Sequence, residues 1–222
     1  MKTLLSLGLV AVLLAAGCRP GEHRSAGVFV LLNVAANHSS DPVPARNVIH
    51  YLLQTLGPAD TLAAASIGTV GFSETDVIAS VTFDQRPSAV NDQKRFFSER
   101  FDRFVASGSG SAFSDICGGM LQAIETLNRS GPDRKTILIL SNLREKPTIG
   151  APGDLPVHMT GINVVVLKAS GLEPDSRDMK LYLRRVEDLR RKVEDGSGRL
   201  YLIDDLQQLE DILQRGPQAE GA

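Results

Sequence analysis

Few side chains here are of types and at spacings that do chemistry, and most of them fall where an apolar run ends. The stretch FVLLNVAANHSS, residues 29–40, passes from a buried-strand pattern into small polar residues, and the residue closing the run is Asn33, an amide and not a carboxylate. His38 and Asp41 follow. As a general base His38 needs an orienting acid, and Asp41 is the near candidate. The four histidines, His23, His38, His50 and His158, are dispersed, with no pair at helical metal-ligand spacing. SGSGS, residues 107–111, lacks both the Gly-x-Gly-x-x-Gly spacing and the Lys-Ser/Thr ending of a phosphate cradle, so it reads as a loop feeding a helix. No Gly-x-Ser-x-Gly elbow occurs, which leaves Ser-His-Asp hydrolysis without a nucleophile in its strand-to-helix setting. Asp204 and Asp205 are expected to cap the final helix, where negative charge suits the N-terminal dipole.

The elements that must position these residues alternate in type. GVFVLLNV (27–34), TLAAASIG (61–68), KTILILSN (135–142) and INVVVLK (162–168) are continuous apolar runs of strand length, the pattern of parallel strands covered on both faces, and RLYLID (199–204) is a shorter fifth. Pro44 suits a first helical turn, with Val48, Leu52, Leu53 and Leu56 on one face and Gly57-Pro58 as the stop. Phe97, Phe101, Phe104 and Val105 repeat at helical spacing, as do Ile116, Met120, Ala123, Ile124 and Leu127. A late helix over 178–194 turns Tyr182, Val186, Leu189 and Val193 inward and a dense mix of charges outward, which reads as a solvated face. TDVIASVTFD (75–84) follows the second strand too soon for a crossover helix, so it is expected to run antiparallel at an edge. The order predicts an α/β fold, a three-layer doubly wound sheet that is mostly parallel with one antiparallel edge strand.

The first 17 residues carry one early cation, Lys2, an apolar stretch from Leu4 to Leu14, and small residues up to Cys18, as a secretion signal does. The ending LLAAGC resembles the lipobox of bacterial lipoproteins, which implies acylation of Cys18, palmitate being the expected kind of chain, and cleavage just before it. Three acyl chains, as that resemblance implies, exceed the two signals that stable anchoring needs, at ~0.8 kcal/mol per buried methylene. Arg19, not Asp, follows, so the resemblance implies the outer membrane, facing the periplasm, in a Gram-negative cell. Cleavage removes one cation and no acid, so the remaining chain is one charge more negative than the −2 of the whole. That weakly acidic balance offers no electrostatic footprint for nucleic acid. With residues 18–26 as lipidated N-terminus and tether, 27–214 form one domain, ample for a single core, and 215–222 are expected to be a disordered tail. Cys117 then has no partner within the chain and reads as a small buried apolar residue.

VFVLLNVAANHS at the first strand end, GSAFSDICGGMLQAI before the third helix and TILILSNLRE at the next strand end together resemble a von Willebrand factor A domain, over residues 27 to about 214. Metal-binding members of that family have Asp-x-Ser-x-Ser after the first strand, a Thr at the start of the third helix and an Asp after the fourth strand. Position by position, the first motif is Asn33-Val34-Ala35-Ala36-Asn37, the Thr position holds Ser114, and the last Asp position holds Asn142. Magnesium needs hard oxygen ligands and gives up its waters reluctantly, so carboxylate charge near the ion supplies most of the attraction. Two Asn in place of Asp remove two negative charges, Ala35 offers no oxygen, and Asp115, beside Ser114, is the only carboxylate adjoining a coordinating position. The resemblance therefore implies a degenerate metal-ion-dependent adhesion site without a tight divalent metal, any residual binding falling to Asp115 or Asp41, and no cofactor.

These residues predict a membrane-anchored, non-enzymatic module of the bacterial cell envelope that binds or scaffolds another protein. Its contact surface would be the strand-end rim of Asn33, Ala35, Asn37, Ser114, Asp115 and Asn142, or the long loop over 144–161. The alternatives are an envelope hydrolase using His38 and Asp41, and an adhesion domain that still holds magnesium.

Overall fold

The computed structural model of the chain describes residues 24–32, 43–67, 76–107, 115–141, 143, 158–168 and 179–215. The leader, Cys18 and the residues beyond Arg215 lie outside that set.

Six strands form one sheet: β1 (Ala26–Leu32), β2 (Thr61–Ser66), β3 (Val77–Thr82), β4 (Arg134–Leu140), β5 (Ile162–Leu167) and β6 (Arg199–Ile203), in the spatial order β3-β2-β1-β4-β5-β6. β1 pairs in parallel with both β2 and β4, and β5 and β6 extend the parallel half. β3 pairs antiparallel with β2 at the edge, with a register shift between Ala64 and Ala65. This is the expected order, and the short connection after β2 accounts for the single reversal. The five helices are α1 (Val43–Thr55), α2 (Pro87–Ala106), α3 (Ile116–Ser130), α4 (Met179–Asp195) and α5 (Leu206–Arg215).

All seven residues of β1 are buried, because side chains alternate between faces and each face is covered by helices. Val28, Val30 and Leu32 join the core made with Leu52, Phe97, Phe101 and Leu209, that is, with α1, α2 and α5. Phe29 and Leu31 join the opposite core with Met120, Ile124, Val186 and Val193 from α3 and α4. Leu143 and Met159, at the two ends of the connection between β4 and β5, both enter this second core. Tyr182, Val186, Leu189 and Val193 are the buried face of α4, as their spacing predicts. Phe97 and Phe101 are buried in α2, while Phe104 and Val105 are half-buried against the same core.

The parallel strands leave two unlike edges. At their amino ends, here called the floor, the incoming chain is clamped. The Ser25 amide and hydroxyl donate to Asp133 Oδ2 at 2.8 and 3.0 Å, and Arg134 donates to the carbonyls of Arg24 and Gln214 at 2.7 and 2.8 Å. The buried Asp60 carboxylate accepts from the Ala26 amide at 2.7 Å and the Gly57 amide at 2.8 Å, tying β1 to the turn before β2. Ser25 and Ala26, assigned by sequence to the tether, are thus built into the fold, since these carboxylates supply acceptors that a solvated tether would not need. The hydrogen bonds from Ser25 hold the Asp133 carboxyl below the usual carboxylate range. This contribution is therefore present above the unfolded carboxylate pKa and lost as pH falls through the lower folded one.

Replacing Asp60 by Ala strands two amides on one carboxylate's account, so Asp60→Ala should lower stability by about 2–4 kcal/mol, with Asp60→Asn milder. Urea unfolding with an unchanged m-value checks this.

Candidate functional site

The opposite edge, where the parallel strands end, is the rim. Leu32 closes β1, and its carbonyl accepts from the Ile67 amide at 2.9 Å, so the β1–β2 ladder continues to the crest. The Ile67 carbonyl in turn accepts from the Asp115 amide at 3.0 Å, which fixes the start of α3 to the end of β2. Gly119 lets α3 approach closely: a Cβ there would stand 2.5 Å from Ile67 Cγ2 and 3.1 Å from Leu31 Cδ2.

Of the residues assigned to the rim, Asp115 is described; Asn33, Ala35, Asn37, Ser114 and Asn142 lie outside the described residues, as do His38 and Asp41. Asp115 is the N-cap of α3, and its Oδ1 accepts from the Gly118 amide at 2.7 Å. The carboxylate is thus engaged by the helix's free N–H groups, which draw negative charge in the way a cation would. Asp205 does the same for α5, accepting from the Gln208 amide at 2.8 Å, while the Gln208 side chain returns to the Asp204 amide at 3.0 Å. The capping expected for this pair is met by Asp205.

Two rim residues escaped sequence reasoning. Ser141 and Leu143 stand on either side of Asn142. Ser141 is buried and its Oγ accepts from the Leu143 amide at 3.0 Å. Leu143 has φ +55°, a left-handed conformation that a bulky residue adopts only under constraint, and its side chain is buried. The β4 end of the rim is therefore pinned by a local hydroxyl bond and by core packing. A serine after an apolar run is a weak signal for such a turn; the sign of φ at Leu143 has none.

Below this corner lies a cleft of about 440 Å³, lined by Ile116, Cys117 and Leu143 on one side and by Arg185, Asp188, Leu189, Arg191, Lys192 and Asp195 of α4 on the other. Cys117 is buried as expected, but its Sγ meets the Lys192 ammonium at 3.7 Å. Arg191 pairs with Asp188, and Nη1 of Arg185 is buried without a hydrogen-bond partner among the described residues. Part of the charged face of α4 therefore lines a cleft where the sequence suggested a wholly solvated surface. Among the described residues no histidine lines this cleft, and no three His, Cys, Asp or Glu side chains gather as metal ligands. At the rim end of α4, burial pushes the Tyr182 phenol up, with Asp204 adding to the effect.

By sequence, no protein-family profile and no curated protein matches the chain. By structure, it has the fold of a von Willebrand factor type A domain. Such a domain from Catenulispora acidiphila superimposes with a TM-score of 0.54 at 13% identity, covering 85% of this chain and 40% of that one. An aerotolerance-related membrane protein from Bacteroides fragilis matches with a TM-score of 0.48 at 11% identity, over 86% of this chain and 98% of its own. BatB, a conserved hypothetical protein from Bacteroides thetaiotaomicron, matches with a TM-score of 0.46 at 14% identity, over 84% and 94%.

If Asp115 serves α3 as its cap, Asp115→Ala should cost about 1 kcal/mol and Asp115→Asn much less, because an amide oxygen also caps. Thermal unfolding of the two variants, with and without magnesium, separates this role from that of a metal ligand, for which both substitutions would act only in the presence of the ion.

Proposed function

We propose that the protein is a lipid-anchored, non-enzymatic module of the bacterial cell envelope that binds another protein through its strand-end rim without a tightly held divalent cation. The observation that carries this reading is the commitment of Asp115, the carboxylate adjoining the coordinating position Ser114, to capping α3, alongside amides at Asn33 and Asn142 where metal-binding domains of this fold have carboxylates. A rim so composed recognises its partner by hydrogen bonds from amides and hydroxyls and by the shape of its turns. The hydrogen bond from the Leu143 amide to Ser141 Oγ and the burial of Leu143 support that role, because a rigid contact surface loses less entropy on binding.

The non-enzymatic part of the reading is supported by the sequence, which offers no Gly-x-Ser-x-Gly elbow and no pair of histidines at metal-ligand spacing. Membrane attachment is assigned to acyl chains on Cys18; among the described residues no helix is long and apolar enough to cross a membrane.

Fractionation of cells expressing the full chain tests both halves. Cys18→Ala should move the protein from the membrane pellet to the soluble fraction, and affinity capture from wild-type membranes should recover the same partner with and without a chelator. Continued sedimentation of Cys18→Ala contradicts the anchor, and a partner lost on chelation contradicts the metal-free rim.

A further inference from the structure

Floor and rim lie at opposite ends of the sheet, and the chain enters at the floor. Arg24 and Ser25 are fixed there by Arg134 and Asp133, and Ala26 by Asp60. Six peptide units separate Cys18 from Arg24, a contour of at most ~20 Å even fully extended. Climbing from floor to rim along a strand of the length of β1 takes about 20 Å. β1 is an inner strand, with β2 and β3 on one side and β4, β5 and β6 on the other, and helices cover both faces. A path from the floor end of β1 to the outside of the domain must therefore also pass a helix layer about 10 Å thick. The climb and the detour together exceed the contour.

We propose that acyl chains on Cys18 hold the domain floor-down on its bilayer, with the rim turned into the aqueous space. This rests on the lipidation reading above and adds what that reading leaves open: the tether is too short for the domain to stand rim-down on the anchoring membrane, so the rim is offered to a protein surface in the aqueous space and not to the lipid headgroups beneath the floor. At the floor Arg86 is paired with Asp84 and Arg129 with Glu125, and the carboxylates of Asp60 and Asp133 stand among the same elements as Arg24 and Arg134. Orientation should accordingly be set by the tether and not by anionic lipid.

The test places a fluorescent amino acid at Ser130, the floor end of α3, or at Gln207, in the first turn of α5 at the rim, both exposed. Each full-length variant is assayed in membranes containing phosphatidylcholine spin-labelled at the headgroup. In a second arm, the chain from Cys18 onward, with Cys117→Ser or Cys117→Ala so that one thiol remains, is coupled through Cys18 to a maleimide lipid in phosphatidylcholine vesicles. The probe at Ser130 should lose most of its emission and the probe at Gln207 little, in both arms, and added phosphatidylglycerol should not change the ranking. Equal quenching, or stronger quenching at Gln207, in the coupled arm overturns the orientation. Absence of the native protein from membranes, with the ranking kept in the coupled arm, overturns lipidation alone.

Discussion

The structure depends on the burial of β1. A strand apolar on both faces must be covered on both, and five parallel strands joined by crossovers all end at one edge. From that constraint come the two unlike ends of the molecule. The rim receives the carboxyl ends of the parallel strands, together with the first turns of α3, α4 and α5. The floor receives the incoming chain and the end of α5, brought together by Arg134. The separation of the incoming chain from the strand-end rim follows from the direction of the strands.

Carboxylates then divide along the same axis. At the floor, Asp60 and Asp133 are acceptors for backbone amides of the incoming chain, and they act as structural anions. At the rim, Asp115 and Asp205 are helix caps. Every one of these carboxylates answers to N–H groups of the fold, and under the proposed function Asn33 and Asn142 stand where a metal-binding rim would have carboxylates. Removing two charges from one site weakens its hold on a doubly charged ion far more than the loss of an oxygen ligand would.

Much of the fold was legible because local patterns set it. Uninterrupted runs such as KTILILSN mark strands covered on both faces, the spacing of Tyr182, Val186, Leu189 and Val193 marks the inner side of α4, and the brevity of the link after β2 forces β3 to run backwards. What was not legible depends on residues far apart in sequence. Asp60 reaches the Ala26 amide across 34 positions, and Asp133 reaches Ser25 across 108. Nothing in either neighbourhood announces the partner. The cleft beside Cys117 was hidden for the same reason: a charged helix face reads as solvated until the neighbouring α3 supplies its other wall. Leu143 was hidden because leucine carries no propensity for positive φ, and packing overrides its preference there.

The central claim is electrostatic: the rim has lost the negative charge that would hold a divalent cation. Titration calorimetry with magnesium, on the wild-type chain and on the combined variant Asn33→Asp, Ala35→Ser, Asn142→Asp, tests it most directly. The account predicts no saturable binding heat from the wild type and a clear binding isotherm from the variant. Saturable magnesium binding by the wild-type chain, or no gain in the variant, would contradict it.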